Sequence, residues 1–192
     1  MEEEKMRVAL LKKEENKKVK LYLPEIRVFL MTSRFNTSTR EENQRFRERK
    51  KWNHGCLYCT PEPLPERIPF YSKILVLEMD NDKNKIFGVG FLVNKPFVNR
   101  YNIYENENYN RYNYVGKYRI PREELTAEEE EVFAALDVLC FKGTEHMKRG
   151  QGLRSFPIKL ILRCKPLIDI PDFIENMFIS RYSSRDLVDR PI

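Results

Sequence analysis

Long apolar runs are missing from these 192 residues. The best, Ile74 to Leu77 and Ile158 to Leu162 with Lys159 inside it, fall far short of the roughly 20 residues that cross a bilayer, so no membrane span is expected. Met1-Glu2-Glu3-Glu4-Lys5 lacks the apolar core of a secretory signal, which points to an intracellular, reducing compartment. The four cysteines are therefore not read as disulfides. Histidine is scarce, with only His54 and His146, and nucleophilic catalysis needs a base beside its nucleophile. His54 and Cys56 are too close in sequence to imply a dyad, and His146 reads either as a general base or as a hydrogen-bonded residue of a turn. The seven glycines form no P-loop and no strand-to-helix GxGxxG, since Gly88-Val89-Gly90 lies within a strand pattern. Nucleotide hydrolysis is disfavoured, and the chain reads more as a binder than as an enzyme.

What is present is enough apolar material for a core, 41% with 12% aromatics, in the size range of one domain. Lysine and arginine number 35 against 29 acidic residues, a net charge of +6 that favours polyanionic partners. Residues 1–18 read as a flexible charged N-terminus, 19–182 as a single domain with its core over 70–164, and 183–192 as a loose tail.

Hydrophobic periodicity places short strands at Val19 to Leu23 and Ile26 to Thr32, broken by Pro24. Ser38 with Glu41, or Thr39 with Glu42, could box the start of a helix that runs over 40–51. That helix is basic and has only Phe46 and Trp52 to anchor it, so it belongs on the surface, where Arg45, Arg49 and Lys50 are free to meet an anion. Prolines 61, 63, 65 and 69 make 53–69 an extended loop. Lys73 to Met79 and Ile86 to Val93 form a hairpin about the polar turn 80–84. Arg111 to Ile120 reads as one strand with Tyr112, Tyr114 and Tyr118 on one face. Thr126 and Glu129 box a helix whose apolar stripe includes Val132, Leu136 and Leu139. Phe156 to Arg163 follows as a last strand and Pro171 to Arg181 as a terminal helix. Strands first, with one helix before a closing strand, argue for α+β: a small, mainly antiparallel bent sheet or barrel with a packed helix and a basic N-terminal helix.

Three groups of residues carry chemical meaning. His54, Cys56 and Cys59 have the Cys-x2-Cys spacing of half a zinc site, so they are either metal ligands or structural cysteines of a loop. Cys140 and Cys164 read as buried thiols. In Lys148-Arg149-Gly150-Gln151-Gly152, extended by Arg154, glycines let backbone N–H groups approach an anion while the cations supply charge; the alternative is a solvated basic turn. Six of the ten tyrosines and five asparagines fall between Arg100 and Arg119, a density suited to stacking and hydrogen-bonding bases, or to packing across strands.

The segments Val76 to Asn81, Gly88 to Gly90, Tyr109 to Tyr112, Gly116 to Ile120, Phe141 to Gly143 and His146 to Gly152 together resemble a group of proteins of large DNA viruses, over roughly residues 70 to 160. That resemblance implies a viral protein acting in host cytoplasm, nucleus or virus particle, and carries over no catalytic residues. The order of elements also resembles the PUA-like barrels of the ASCH and EVE types, which implies binding of RNA or modified bases. The resulting expectation is non-catalytic binding of DNA or RNA, single-stranded or with a flipped base. In it Lys148, Arg149, Arg154, Gly150 and Gly152 meet phosphates, and Tyr112, Tyr114 or Tyr118 meets a base. The alternatives are a structural or interaction protein of a viral assembly, with a viral protein partner, and a zinc-dependent enzyme.

Overall fold

The computed structural model describes residues 1–52, 54–95, 101–182 and 187. A five-stranded sheet of order β6-β4-β3-β1-β7 is built from β1 (Val28–Phe35), β3 (Lys73–Asp80), β4 (Lys85–Val93), β6 (Tyr118–Pro121) and β7 (Leu153–Ser155). A two-stranded sheet pairs β2 (Cys56–Thr60) with β5 (Tyr112–Gly116). The large sheet is open, with no closed barrel among the described residues, and three of its four pairings are antiparallel; only β1 and β3 run parallel. This is the mainly antiparallel α+β arrangement, in its sheet form.

The uninterrupted apolar run of β3 has a physical reason. A central strand covered on both faces buries its side chains, here all from Ile74 to Asp80. Leu75, Leu77 and Met79 face α3 (Ala127–Phe141) and α5 (Ile170–Arg181), where Phe133, Leu136, Ile174 and Phe178 are buried. Ile74 and Val76 face the small sheet and α2 (Thr37–Arg49), packing with Leu57, Tyr58 and Phe46. Two cores therefore sit back to back across one sheet. Leu187, the one described residue of the expected loose tail, is buried in the first.

Several expectations need correction. Residues 19–23 are not a strand: α1 (Glu2–Tyr22) runs through the stretch expected to be flexible and on to Tyr22. Its Glu2, Glu3 and Glu4 suit the positive end of the helix dipole, and a formed helix extends more cheaply than a new strand nucleates. No residue of α1 is buried. It lies on α4 (Ile158–Cys164), where Glu15 pairs with Lys159 at 3.0 Å and Arg163 at 2.8 Å. The expected strand over 156–163 is instead α4, and the strand of this region, β7, ends before it at Ser155, because Pro157 cannot donate to the ladder and caps the helix. Helix α2 is capped by Asn36, whose Oδ1 accepts from Thr39 N–H at 2.8 Å, rather than by Ser38 or Thr39. The proline-rich loop contains β2, which ends where the prolines begin. The single strand over 111–120 is two, divided at Lys117, with β5 in the small sheet and β6 in the large one. The capping box of α3 forms as expected. No helix among the described residues is long and apolar enough to cross a membrane.

Candidate nucleic-acid interface

The chain from Phe141 back to β7 makes a tight excursion, held by the Met147 N–H on the Cys140 carbonyl at 2.7 Å. Gly150 and Gly152 both have positive φ, +114° and +60°, which side-chain-bearing residues rarely adopt. At Gly152 space forbids a side chain as well, because the Thr60 hydroxyl of β2 occupies the position of a Cβ. No acceptor among the described residues takes the N–H groups of Arg149, Gly150, Gln151 or Gly152. Two carbonyls of the turn are read by the sheet: Arg34 Nε donates to Met147 O, and Asn81 Nδ2 donates to Lys148 O at 3.1 Å.

Arg34 projects from β1 and is the unexpected residue here. No carboxylate pairs with it among the described residues, and its Nη1 is buried without a hydrogen-bond partner. Burial first, and the neighbouring Arg154 charge second, push its guanidinium down to about 10. Both guanidiniums border Gly150: a Cβ placed there would lie 3.5 Å from Arg154 Nε and 3.7 Å from Arg34 Cζ. Arg154 is half-exposed, and its carboxylate neighbour Glu62 stands 4.0 Å away in solvent. An uncompensated cation in partial burial is costly, and an anion beside it removes that cost.

Arg34, Gly150, Gly152, Tyr104 and Tyr109 line one cavity of about 420 Å³ at the C-terminal end of β1. The rings of Tyr104 and Tyr109 meet edge to face at 6.3 Å. Asn43 of α2 donates to the Tyr104 hydroxyl at 3.1 Å, and burial raises that phenol above its ordinary range. The glycines of the turn and the tyrosine-rich segment therefore meet, but through other tyrosines than those expected, and the expected cations Lys148, Arg149 and Arg154 are not among the lining residues. Tyr112 is 42% exposed and pairs across β2 with Thr60, the residue that backs Gly152. The Tyr114 hydroxyl accepts the Leu64 N–H at 2.8 Å. Tyr118 packs on Tyr182 at 4.4 Å, against the core on the opposite face of the sheet. Lys148 is half-buried, and Arg149 is exposed beside it. Arg45, Arg49 and Lys50 lie toward the far end of α2, with Arg49 and Lys50 over the Phe46 ring. At 1.5 Å per residue, Arg49 is about 15 Å along the helix from Thr39 at the cavity. Arg100, at the head of the tyrosine-rich segment, lies outside the described residues.

The zinc reading does not survive the strand. Cys56 and Cys59, three apart on β2, point to opposite faces. The Cys56 thiol faces the Phe91 carbonyl at 3.6 Å, and the Cys59 thiol donates to Asn113 Oδ1 at 2.8 Å. His54 is exposed ahead of the strand. Among the described residues no three His, Cys, Asp or Glu side chains are grouped to hold a metal. Burial pushes the Cys56 and Cys140 thiols up to about 12 and Cys59 higher still, so all three stay protonated at neutral pH. Thiolates, not thiols, react. Native protein treated with iodoacetamide at pH 8 should be modified quickly at half-exposed Cys164 alone, the other three following only in denaturant; rapid native labelling of Cys56 or Cys59, read by mass spectrometry, would contradict the packing.

Sequence reasoning passed over Arg34, Asn81, Tyr104 and Tyr109. Arg34 lay beyond the strand expected over 26–32, which in the structure runs on to Phe35. No protein-family model, curated protein or solved structure matches this chain.

Proposed function

We propose that the protein binds single-stranded or locally opened nucleic acid without acting on it chemically. The observation that carries this reading is the shared cavity, in which an unpaired arginine, free backbone N–H groups and tyrosine rings meet. Arg34, Arg154 and the N–H groups of Gly150 and Gly152 take phosphate oxygens. Tyr104 and Tyr109 border the space for a base. Arg149, Arg45, Arg49 and Lys50 add non-specific attraction. Cys59, the one thiol lining the cavity, is held protonated by burial and donates to Asn113, and no histidine lines the cavity among the described residues, so the site is suited to holding rather than cleaving. Charge comes from arginine, and the binding needs no cofactor.

Fluorescence anisotropy with labelled single-stranded DNA and RNA across a salt series tests the reading. Affinity should fall with salt at a log-log slope of about 0.7 per phosphate contact, and Arg154→Gln should flatten that slope by about 0.7. A flat salt response of the unaltered protein would sink it. The second reading, a role in a viral assembly, draws on α1, which buries no residue and exposes Met6, Leu10, Leu11 and Leu21. Purification with a stable protein partner and no nuclease-sensitive material would favour that role.

A further inference from the structure

The cavity differs from a groove that lets a strand pass through. At its positive end Arg34 lines the wall and Arg154 stands beside the same glycine, Gly150, with no carboxylate on Arg34 among the described residues and only the exposed Glu62, 4.0 Å away, on Arg154. An internal phosphodiester brings one negative charge, whereas a phosphate monoester, with a second pKa near 6, brings about 1.5 to 2 at pH 7. Another part of the wall carries Glu42 and Glu105. Glu42 Oε2 accepts the Glu105 N–H at 3.2 Å, its Oε1 accepts from Ser38 Oγ at 3.0 Å, and neither glutamate pairs with Arg34. A second phosphate would be repelled there, while sugar hydroxyls or exocyclic amino groups would find acceptors. The volume of about 420 Å³ is that of a small-molecule site.

We infer that the cavity takes the phosphate monoester of one nucleotide, its phosphate on Arg34 and Arg154 and its nucleoside toward the glutamate wall. The strand end as source of that nucleotide rests on the nucleic-acid reading above; the monoester chemistry does not.

Three oligothymidylates of one length, with a 5′-phosphate, a 3′-phosphate or neither, are compared by anisotropy, and thymidine 5′- and 3′-monophosphates are used as competitors. One phosphorylated end should bind roughly tenfold to a hundredfold tighter than the unphosphorylated strand, the worth of a charge-assisted hydrogen bond that only the end phosphate can accept. Arg34→Gln should abolish that preference. Arg154→Gln, on a half-exposed side chain, should at least halve it with no demand on the core, which keeps the test valid if the Arg34 variant does not fold. Direct binding of a thymidine monophosphate at micromolar to millimolar levels, measured by titration calorimetry, with no strand bound at all, would support the monoester site and overturn the strand reading. Equal affinity for all three strands, with neither monophosphate competing, would overturn the inference and leave the strand reading standing.

Discussion

Replacing Glu78 with alanine is expected to cost about 3–5 kcal/mol of folding free energy, the loss typical when one partner of a buried ion pair is removed. Glu78 is 4% exposed on β3. Its Oε1 accepts from the Tyr58 hydroxyl at 2.9 Å, and its carboxylate takes Arg119 through Nε at 2.9 Å and Nη2 at 2.7 Å. Burial by itself would push the Arg119 guanidinium down; the charge and hydrogen bonds of Glu78 outweigh that and raise it. Without the carboxylate, a largely buried cation keeps only a long 3.5 Å contact to the Phe87 carbonyl and a buried phenol loses its acceptor, and that penalty, rather than the pair's net worth, makes the effect large. Glu78→Leu combined with Arg119→Met should recover most of the loss, since it removes both charges together. Urea unfolding followed by circular dichroism measures both, and a loss below about 1 kcal/mol for the single variant would show that water already reaches the pair. Tyr58 sits on β2 and Glu78 on β3, so the network also joins the small sheet to the large one, and with it Thr60 behind Gly152. Phosphate binding should weaken in the alanine variant even where it remains folded.

Gly116→Ala is expected to cost about 3 kcal/mol or more, for a different reason. Gly116 ends β5 where the chain passes from one sheet to the other, and it pairs with Cys56. A methyl group there would overlap the Phe91 carbonyl oxygen and stand 2.6 Å from the Cys56 sulfur. Phe91 is fixed between Leu75 and Tyr118 in the large sheet, so its backbone cannot yield cheaply. Gly143 supplies the control. Its φ is +78° but nothing lies within 4 Å of a Cβ, so Gly143→Ala carries only conformational strain, about 1 to 2 kcal/mol. A midpoint shift for Gly116→Ala no larger than for Gly143→Ala would mean that the two sheets do not approach as closely as the structure has them.

The sequence determined what depends on neighbours along the chain. The hairpin of β3 and β4 was legible because an aliphatic run, a polar turn and a second run follow one another, and α3 because Thr126 and Glu129 close a capping box ahead of an apolar stripe. The positive φ of Gly150 and Gly152 was likewise implicit in a glycine-bracketed turn. Where two local conformations compete at similar cost, reading by pattern failed: Val19 to Leu23 alternates like a strand yet continues a helix, and Phe156 to Arg163 is apolar enough for either. The spacing of Cys56 and Cys59 suggested a shared ligand until β2 turned them to opposite faces. Tertiary structure alone decided which tyrosines meet the glycines of the turn and that Arg34 stands there with no carboxylate partner among the described residues. Tyr104 and Arg34 are 70 residues apart, and their meeting follows from a parallel β1–β3 pairing and a second sheet folded over it. Periodicity can say which face of an element is apolar, but the partner of that face is chosen by burial across the whole molecule, and a cavity is the space such choices leave.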